Sequence, residues 1–378
     1  MKIELHIIQN FAPSNLNRDE SGYPKDCEFG DYRRARISSQ CFKRAIHMYL
    51  DEDSKLKDMM GINTKRLPEL IVEKLKEQGK THENILELIR KILGLKIDDK
   101  EGETSYSLFL IKTCADVLAD MIAEEWDGLF DAKGKIIDSD RLKRIKSEWE
   151  KQLKRKDVID LALFGRMIAD MPEHNVEAAT QFAHAISTNR VKMDTDFFTA
   201  IDELKPNEGA AMMDLTNFNS SCFYRYINFD LIQFKENLKD IKDSTILKYA
   251  VQAFIRACIE AIPSGKQHAY AADNMPSFVL AVVRERKLWS LANAFEVPVY
   301  PKIDENKGLI AQSICKLDEY WGKMKKYGTE DIRATVVFSL EDIGFNNISS
   351  VDNYTFNKAK SLSEFLDTII NHTTVVEK

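Results

Sequence analysis

The chain has no apolar run long enough to cross a membrane. Its first residues, MKIELHIIQN, alternate at once instead of showing a basic segment followed by an apolar stretch, so a cytoplasmic protein without membrane contact is expected. The six cysteines, Cys27, Cys41, Cys114, Cys222, Cys258 and Cys315, form no CxxC or Cys/His ligand spacing, and the seven histidines are equally scattered. Reduced thiols and no metal site are the expectation. Also missing are GxSxG, HExxH, a dinucleotide fingerprint, a GxxxxGK[ST] loop and a compact acid cluster, which leaves no catalytic residue or cofactor to nominate. There is no internal repeat and no low-complexity segment.

What is present suits a soluble globular protein. With 378 residues, 44% apolar and 30% charged, the chain can bury a large core as one elaborated domain or two. A net charge of −6 argues against a generic polycation. It leaves nucleic-acid binding open, because binding depends on where the cations lie.

The local exception is Arg33 to His47, RRARISSQCFKRAIH, with five cationic side chains and no acid. Ser38 suits an N-cap, and Ile37 and Phe42 occupy the two positions of a hydrophobic staple. At 100° per residue, Phe42, Ala45, Ile46 and Tyr49 share one helix face, and Gln40, Lys43, Arg44 and His47 share the other. Free N–H groups at the helix start, the Ser38 and Ser39 hydroxyls, Gln40 and Lys43 then make a site for an anionic oxygen, most simply a phosphate. The competing reading is a solvated basic face.

Alternation predicts strands at Ile3 to Ile8, Val158 to Phe164, Cys222 to Asp230, Ser277 to Arg286 and Ala334 to Leu340, with a long loop from about Ala12 to Tyr32. Helices are expected from roughly Pro68 to Lys156, over Asp243 to Ile262 and near Ser361 to Ile370. Without its insertions the order is strand, helix, strand, strand, helix, strand. That is the α+β layout of a ferredoxin-like or RNA-recognition-motif domain, with helices on one face of an antiparallel sheet and the other face free. One insertion, about residues 51–157, is helical; another, about 170–220, separates two strands and contains the turn-rich Pro206 to Gly209.

Four features could carry chemistry. The helix Arg141 to Lys156 sets Leu142, Ile145, Trp149 and Leu153 on one side and eight cations on the other, which track a phosphate backbone or merely face solvent. Phe197 and Phe198, like Met167, either lie against bases or belong to the core. Phe223-Tyr224-Arg225-Tyr226 has the aromatics of a base-stacking strand, but Arg225 breaks the pattern and core is favoured. Gly265-Lys266-Gln267 offers a phosphate contact outside any nucleotide-binding loop. The carboxylate pairs Asp157/Asp160 and Asp194/Asp196 read more simply as turn or edge residues.

These residues carry a resemblance. Ser14 to Asp19, Lys25-Asp26, Phe29-Gly30 and Arg33 to Lys43-Arg44 closely resemble the N-terminal signature of the CasC family, the backbone subunit of the type I-E CRISPR surveillance complex, Cascade. Ala162 to Met167, Ala183 to Thr188, Phe198 to Asp202, Phe223 to Tyr226, Gly265 to Gln267 with Tyr270 to Ala272, and Ala292 to Glu296 match in order. The resemblance implies a modified ferredoxin-like palm made of residues 1–50, a strand at 158–169 and residues 221–378. It further implies helical fingers at 51–157 and a thumb hairpin within 170–220.

By the same resemblance, copies assemble head to tail along guide RNA beside other Cascade subunits, and target DNA pairs with the guide. Arg18, Lys25, Arg36, Ser38, Gln40, Lys43, Arg44, His47 and Lys266 would hold the RNA backbone, and Met167, Phe197 and Phe198 would lie against bases. The family often has a basic residue in place of His47 and Trp in place of Phe197. Arg141, Lys143, Arg144, Lys146, Lys151 and Lys154 are candidate DNA contacts on charge alone. The expected role is non-catalytic. The alternatives are a backbone-type ribonuclease that cuts target RNA with Asp194, Asp196 or Asp202, and a monomeric single-strand RNA binder.

Overall fold

The computed structural model describes residues 1–98, 102–201, 204, 210–302, 307–350 and 353–373. The chain divides into two compact units, Met1–Leu50 with Thr180–Ile232 and Ser244–Lys378, and Asp51–Ala179 with Gln233–Asp243. It opens with β1 (Lys2–Ser14), β2 (Asp26–Phe29), β3 (Tyr32–Ile37) and α1 (Ser39–Asp51). Then come β4 (Gly61–Thr64), α2 (Leu67–Glu77), α3 (Ile85–Leu93), β5 (Leu108–Ile111), α4 (Cys114–Glu124), α5 (Asp140–Lys154) and α6 (Ile159–Phe164). Next are β6 (Thr180–Phe182), β7 (Ala185–Ser187), β8 (Asp194–Ile201), β9 (Ala210–Asp230), α7 (Leu231–Asn237), α8 (Ser244–Glu260) and α9 (Gln267–Tyr270). The chain continues through β10 (Phe278–Arg284), α10 (Leu309–Met324), β11 (Ile332–Ser339), β12 (Thr355–Ala359) and α11 (Leu362–Asn371).

The fold class is α+β, as expected. Among the described residues, the first unit carries a ten-stranded sheet ordered β12-β11-β10-β1-β9-β7-β3-β2, with β6 and β8 also pairing to β9. All of its pairings are antiparallel except β11 with β12. β9 is long enough for two jobs: its second half pairs with β1 from Lys2↔Asp230 to Ser14↔Asn219, and its first half pairs with β8 from Asp194↔Phe218 to Ile201↔Ala210.

The expected free sheet face is not there. The run FVLAVVR of β10 is buried at every residue, the mark of a strand covered on both sides. On one face Phe254 of α8 packs edge-on to Phe229 at 4.8 Å. On the other, Ile314, Leu317 and Trp321 of α10 join Ile8, Tyr224, Leu280 and Val282 in one core cluster. The helix α10 escaped the sequence reading, and its burial of the second face leaves loops and edges for function.

A second correction concerns residues 158–169. Val158 to Phe164, read as a strand, forms α6, which ends where Gly165 turns at φ +75°. A six-residue apolar run fits either period, and here Asp160 accepts the N–H of Gly61 at 2.8 Å and that of Leu161 at 2.9 Å, so helix wins. The strand beside β9 is instead supplied by β6 and β7, from within the stretch read as an insertion. Part of the long loop before Tyr32 is the hairpin β2–β3, and the helical region 68–156 includes β5, paired to β4. The second unit packs its own core, with Leu142, Ile145, Trp149 and Leu153 of α5 against α3 and α4 residues such as Leu88 and Leu118.

The buried polar centre of the sheet is Arg284, which donates to Glu4 Oε2 at 2.9 Å and Asp331 Oδ1 at 2.9 Å and lies 4.2 Å from the Trp289 ring. Beside it His6 is fully buried, and desolvation with the nearby Arg284 charge pushes its pKa down to about 3. Arg284→Ala strands two buried carboxylates and is expected to cost about 3–5 kcal/mol, read from the urea midpoint by tryptophan fluorescence. The unfolded chain binds a proton at His6 that the folded chain refuses. Wild-type stability therefore falls as pH drops below about 6.5, and His6→Phe flattens that slope.

Candidate nucleic-acid interface

Burial sorts the five cations of Arg33 to His47. Arg33 pairs with Asp26, and Arg34 is fully buried, donating to the carbonyls of Ser187, Thr188, Phe295 and Glu296 at 2.7–3.0 Å. Only Arg36, Lys43 and Arg44 remain for a ligand. The sequence reading began the helix correctly: the Ser38 hydroxyl accepts the N–H of Cys41 at 3.3 Å, and Ile37 and Phe42 are both buried in one cluster. What it missed is that Arg33 to Ile37 is a strand.

The loop before β2 is tied to this joint. Asn17 Oδ1 accepts the Ser38 N–H at 2.9 Å, the Asn17 carbonyl accepts the Lys25 N–H at 2.8 Å, and the Lys25 carbonyl accepts the Arg36 N–H at 2.9 Å. Because Asp26 pairs with Ala35, extending the ladder by one residue sets Lys25 opposite Arg36 on a shared face. Arg36 also donates to the Asp26 carbonyl at 3.1 Å and lies 3.3 Å from Nδ1 of His184. Lys43 sits half-buried with Nζ 5.4 Å from the Phe182 ring, and burial lowers its pKa. No carboxylate among the described residues pairs with Lys25, Arg36 or Lys43. Gln40 is exposed beside them and His47 is half-buried one turn further along α1.

Arg18 and Arg44 line a neighbouring cleft of about 700 Å³ together with Leu16, Met48, Pro263 and Gly265. A Cβ on Gly265 would come 2.2 Å from the Leu16 carbonyl oxygen, so only glycine lets the two backbones approach. The next residue, Lys266, is exposed and left-handed at φ +53°, a costly conformation for a side-chain-bearing residue. The first unit thus brings Arg18, Arg44 and Lys266 to one side of α1, and Lys25, Arg36, Ser38 and Lys43 to its head.

The hairpin β8–β9 separates the two phenylalanines. Phe197 pairs with Leu215 and Thr199 with Met213, so Phe197, Met213 and Leu215 share one exposed face. Phe198 pairs with Asp214 on the opposite face, on the side of Asp194 and Asp196. Met213 and Leu215 were not singled out from sequence, although their alternation with Asp214 and Thr216 carried the signal. Asp202 and Pro206 to Gly209 lie outside the described residues. Phe223 to Tyr226 are buried, as favoured.

In the second unit, Met167 is 79% exposed. On α5, Arg141 and Arg144 pair with Glu125, Lys143 with Asp140, Lys151 with Glu148 and Lys154 with Glu150, at 3.0–3.5 Å. Lys146 alone of the six candidates has no ion pair among the described residues. Asp157 pairs with Arg155, which with the burial of Asp160 gives that carboxylate pair a structural role.

The profile of the CT1975-like proteins, a Cas family, matches residues 3–368. The chain belongs to that family. This CT1975-like chain is also similar to a solved chain titled "CRISPR RNA-guided surveillance complex, pre-nicking", at 27% identity and TM-score 0.82, over 98% of this chain and 99% of that one. A second, titled "CRISPR RNA-guided surveillance complex", shares the fold at 24% identity and TM-score 0.74, over 99% and 100% of the two chains. A comparison with curated proteins found no match. No helix among the described residues is long and apolar enough to cross a membrane.

Gly265→Ala is expected to push the Leu16 to Lys25 loop off its seat. Trypsin should then cut after Arg18 and Lys25 faster than in the wild type, with a lowered thermal midpoint.

Proposed function

We propose that this chain is a non-catalytic, guide-RNA-binding backbone subunit of a type I-E Cascade complex, of the CasC kind. Copies of it line up along the RNA with other subunits, and target DNA pairs with the guide they hold. The observation that carries the reading is the half-buried, carboxylate-free group Lys25, Arg36 and Lys43 at the N-terminus of α1. Burial makes an unpaired ammonium costly, and a phosphate oxygen placed there restores its partner while drawing on the free N–H groups of the helix start. Similarity to surveillance-complex chains over nearly the whole length supports the same reading. So does the strand order β10-β1-β9-β6/β7, which is fourth-first-third-second once β6 and β7 replace residues 158–169 as the second strand.

In this reading the first unit forms the palm and carries β8 with the first half of β9 as the thumb, and residues 51–157 are the fingers. Arg18, Arg44, His47 and Lys266 flank the RNA path, and Met167, Phe197 and Phe198 lie against bases. The two phenylalanines lie on opposite faces of the hairpin, and Phe197 with Met213 and Leu215 offers a continuous exposed apolar surface. Target-DNA contact by α5 would have to draw on ion pairs already made, leaving Lys146 as its one unshared candidate.

Co-expression with a CRISPR transcript and the neighbouring gene products should yield a multi-copy RNA particle. Lys43→Ala should weaken guide retention by about 1.5–3 kcal/mol, the loss of a charged hydrogen bond, with an unchanged melting curve. Equal RNA co-purification from mutant and wild type would remove the site. Metal-dependent cutting of a paired target RNA, abolished by Asp194→Ala or Asp196→Ala, would instead establish the ribonuclease.

A further inference from the structure

His184 lies in the two-residue connection between β6 and β7, exposed at the surface. Arg36 pairs with Ile186 across the β3–β7 ladder, which makes residue 184 its diagonal neighbour on the same face, within reach of a long side chain. The contact is made: His184 Nδ1 is 3.3 Å from Arg36 Nη1, and the Arg36 Nε is held by the Asp26 carbonyl at 3.1 Å. A guanidinium can only donate, so the imidazole must accept and is neutral while it holds Arg36.

We propose that His184 is a positioning residue of the RNA-binding face, aiming the Arg36 guanidinium when neutral and becoming an additional phosphate-facing cation when RNA is bound. The inference rests on the RNA-backbone reading of Lys25, Arg36 and Lys43. The charged groups around the imidazole are Arg36 of β3 and Lys25 before β2, both cationic. Asp26, the residue after Lys25, turns its carboxylate to Arg33, and Lys43 of α1 stacks over Phe182, two residues before His184. Partial burial and these two cations lower the His184 pKa in the free protein. A phosphate set among them reverses the sign of the local field and raises it.

A group whose pKa is higher in the complex takes up a proton on binding, so affinity rises as pH falls through the bound value and levels off below the free one. Each unit of difference between the two is a tenfold change in affinity. Guide binding by the wild type is therefore expected to strengthen about three- to tenfold between pH 8 and pH 5.5.

The test is fluorescence anisotropy of a labelled oligouridine, whose bases do not titrate in this range, with the full-length chain. His184→Gln keeps an acceptor for Arg36 but no titrating proton. It should match the wild type at pH 8 and lose most of the gain at pH 5.5. His268→Gln, which changes the exposed histidine of α9 two residues after Lys266, should keep that gain. An unchanged pH slope in His184→Gln overturns the proposal while leaving the RNA-binding reading intact. Absence of oligouridine binding at every pH, by wild type and variants alike, removes that reading itself.

Discussion

The position of the candidate site depends on one buried guanidinium, that of Arg225 on β9. It donates to Gln9 Oε1 of β1 and to the Cys258 carbonyl of α8, both at 2.6 Å, and lies 4.0 Å from the Phe42 ring of α1. Sheet, covering helix and the helix that presents Gln40 and Lys43 thus share one point of contact. Arg225 is 2% exposed with no carboxylate paired to it among the described residues, and desolvation lowers its pKa to about 10, so carbonyl dipoles and the aromatic face offset the buried charge. In the sequence it was only the residue that interrupted an aromatic pattern.

Burial assigns opposite roles to chemically identical side chains. Arg34, Arg225 and Arg284 are sealed in the first unit and hold carbonyl oxygens or carboxylates, whereas Arg36, which the strand period sets on the same face as Arg34, stays half-buried beside His184 because the carbonyls of Ser187, Thr188, Phe295 and Glu296 gather around Arg34 alone. In the second unit the cations of α5 are mostly engaged with neighbouring acids, and exposed pairs of that kind contribute little to stability. A count of positive charges would rank α5 above the head of α1. Counting only those without a carboxylate reverses the order.

Much of the local structure was legible. The staple of Ile37 and Phe42, the Ser38 cap, the strand ending at Asp230, α8 and the C-terminal helix follow from period and cap chemistry acting over a few residues. The misses share a cause. Val158 to Phe164 and the short strands β6 and β7 are runs of three to seven residues whose period is ambiguous, and tertiary partners chose between helix and strand. The covered second face of the sheet was missed because α10, between β10 and β11, went unread, and the residues it covers include Ile8 and Tyr224 from strands distant in sequence.

The sequence by itself determined that a helix starts after Ser38 with donors on one side and apolar residues on the other, because a cap and a 3.6-residue period are local properties. It determined an α+β class and the residues that carry the family resemblance. Only the tertiary structure decided which cations are free, because that depends on carbonyls and carboxylates contributed by distant segments: Ser187 and Phe295 for Arg34, Asp26 for Arg33, His184 for Arg36. It also decided that Phe197 and Phe198 lie on opposite faces, since a hairpin's register and not its composition fixes which side each residue takes.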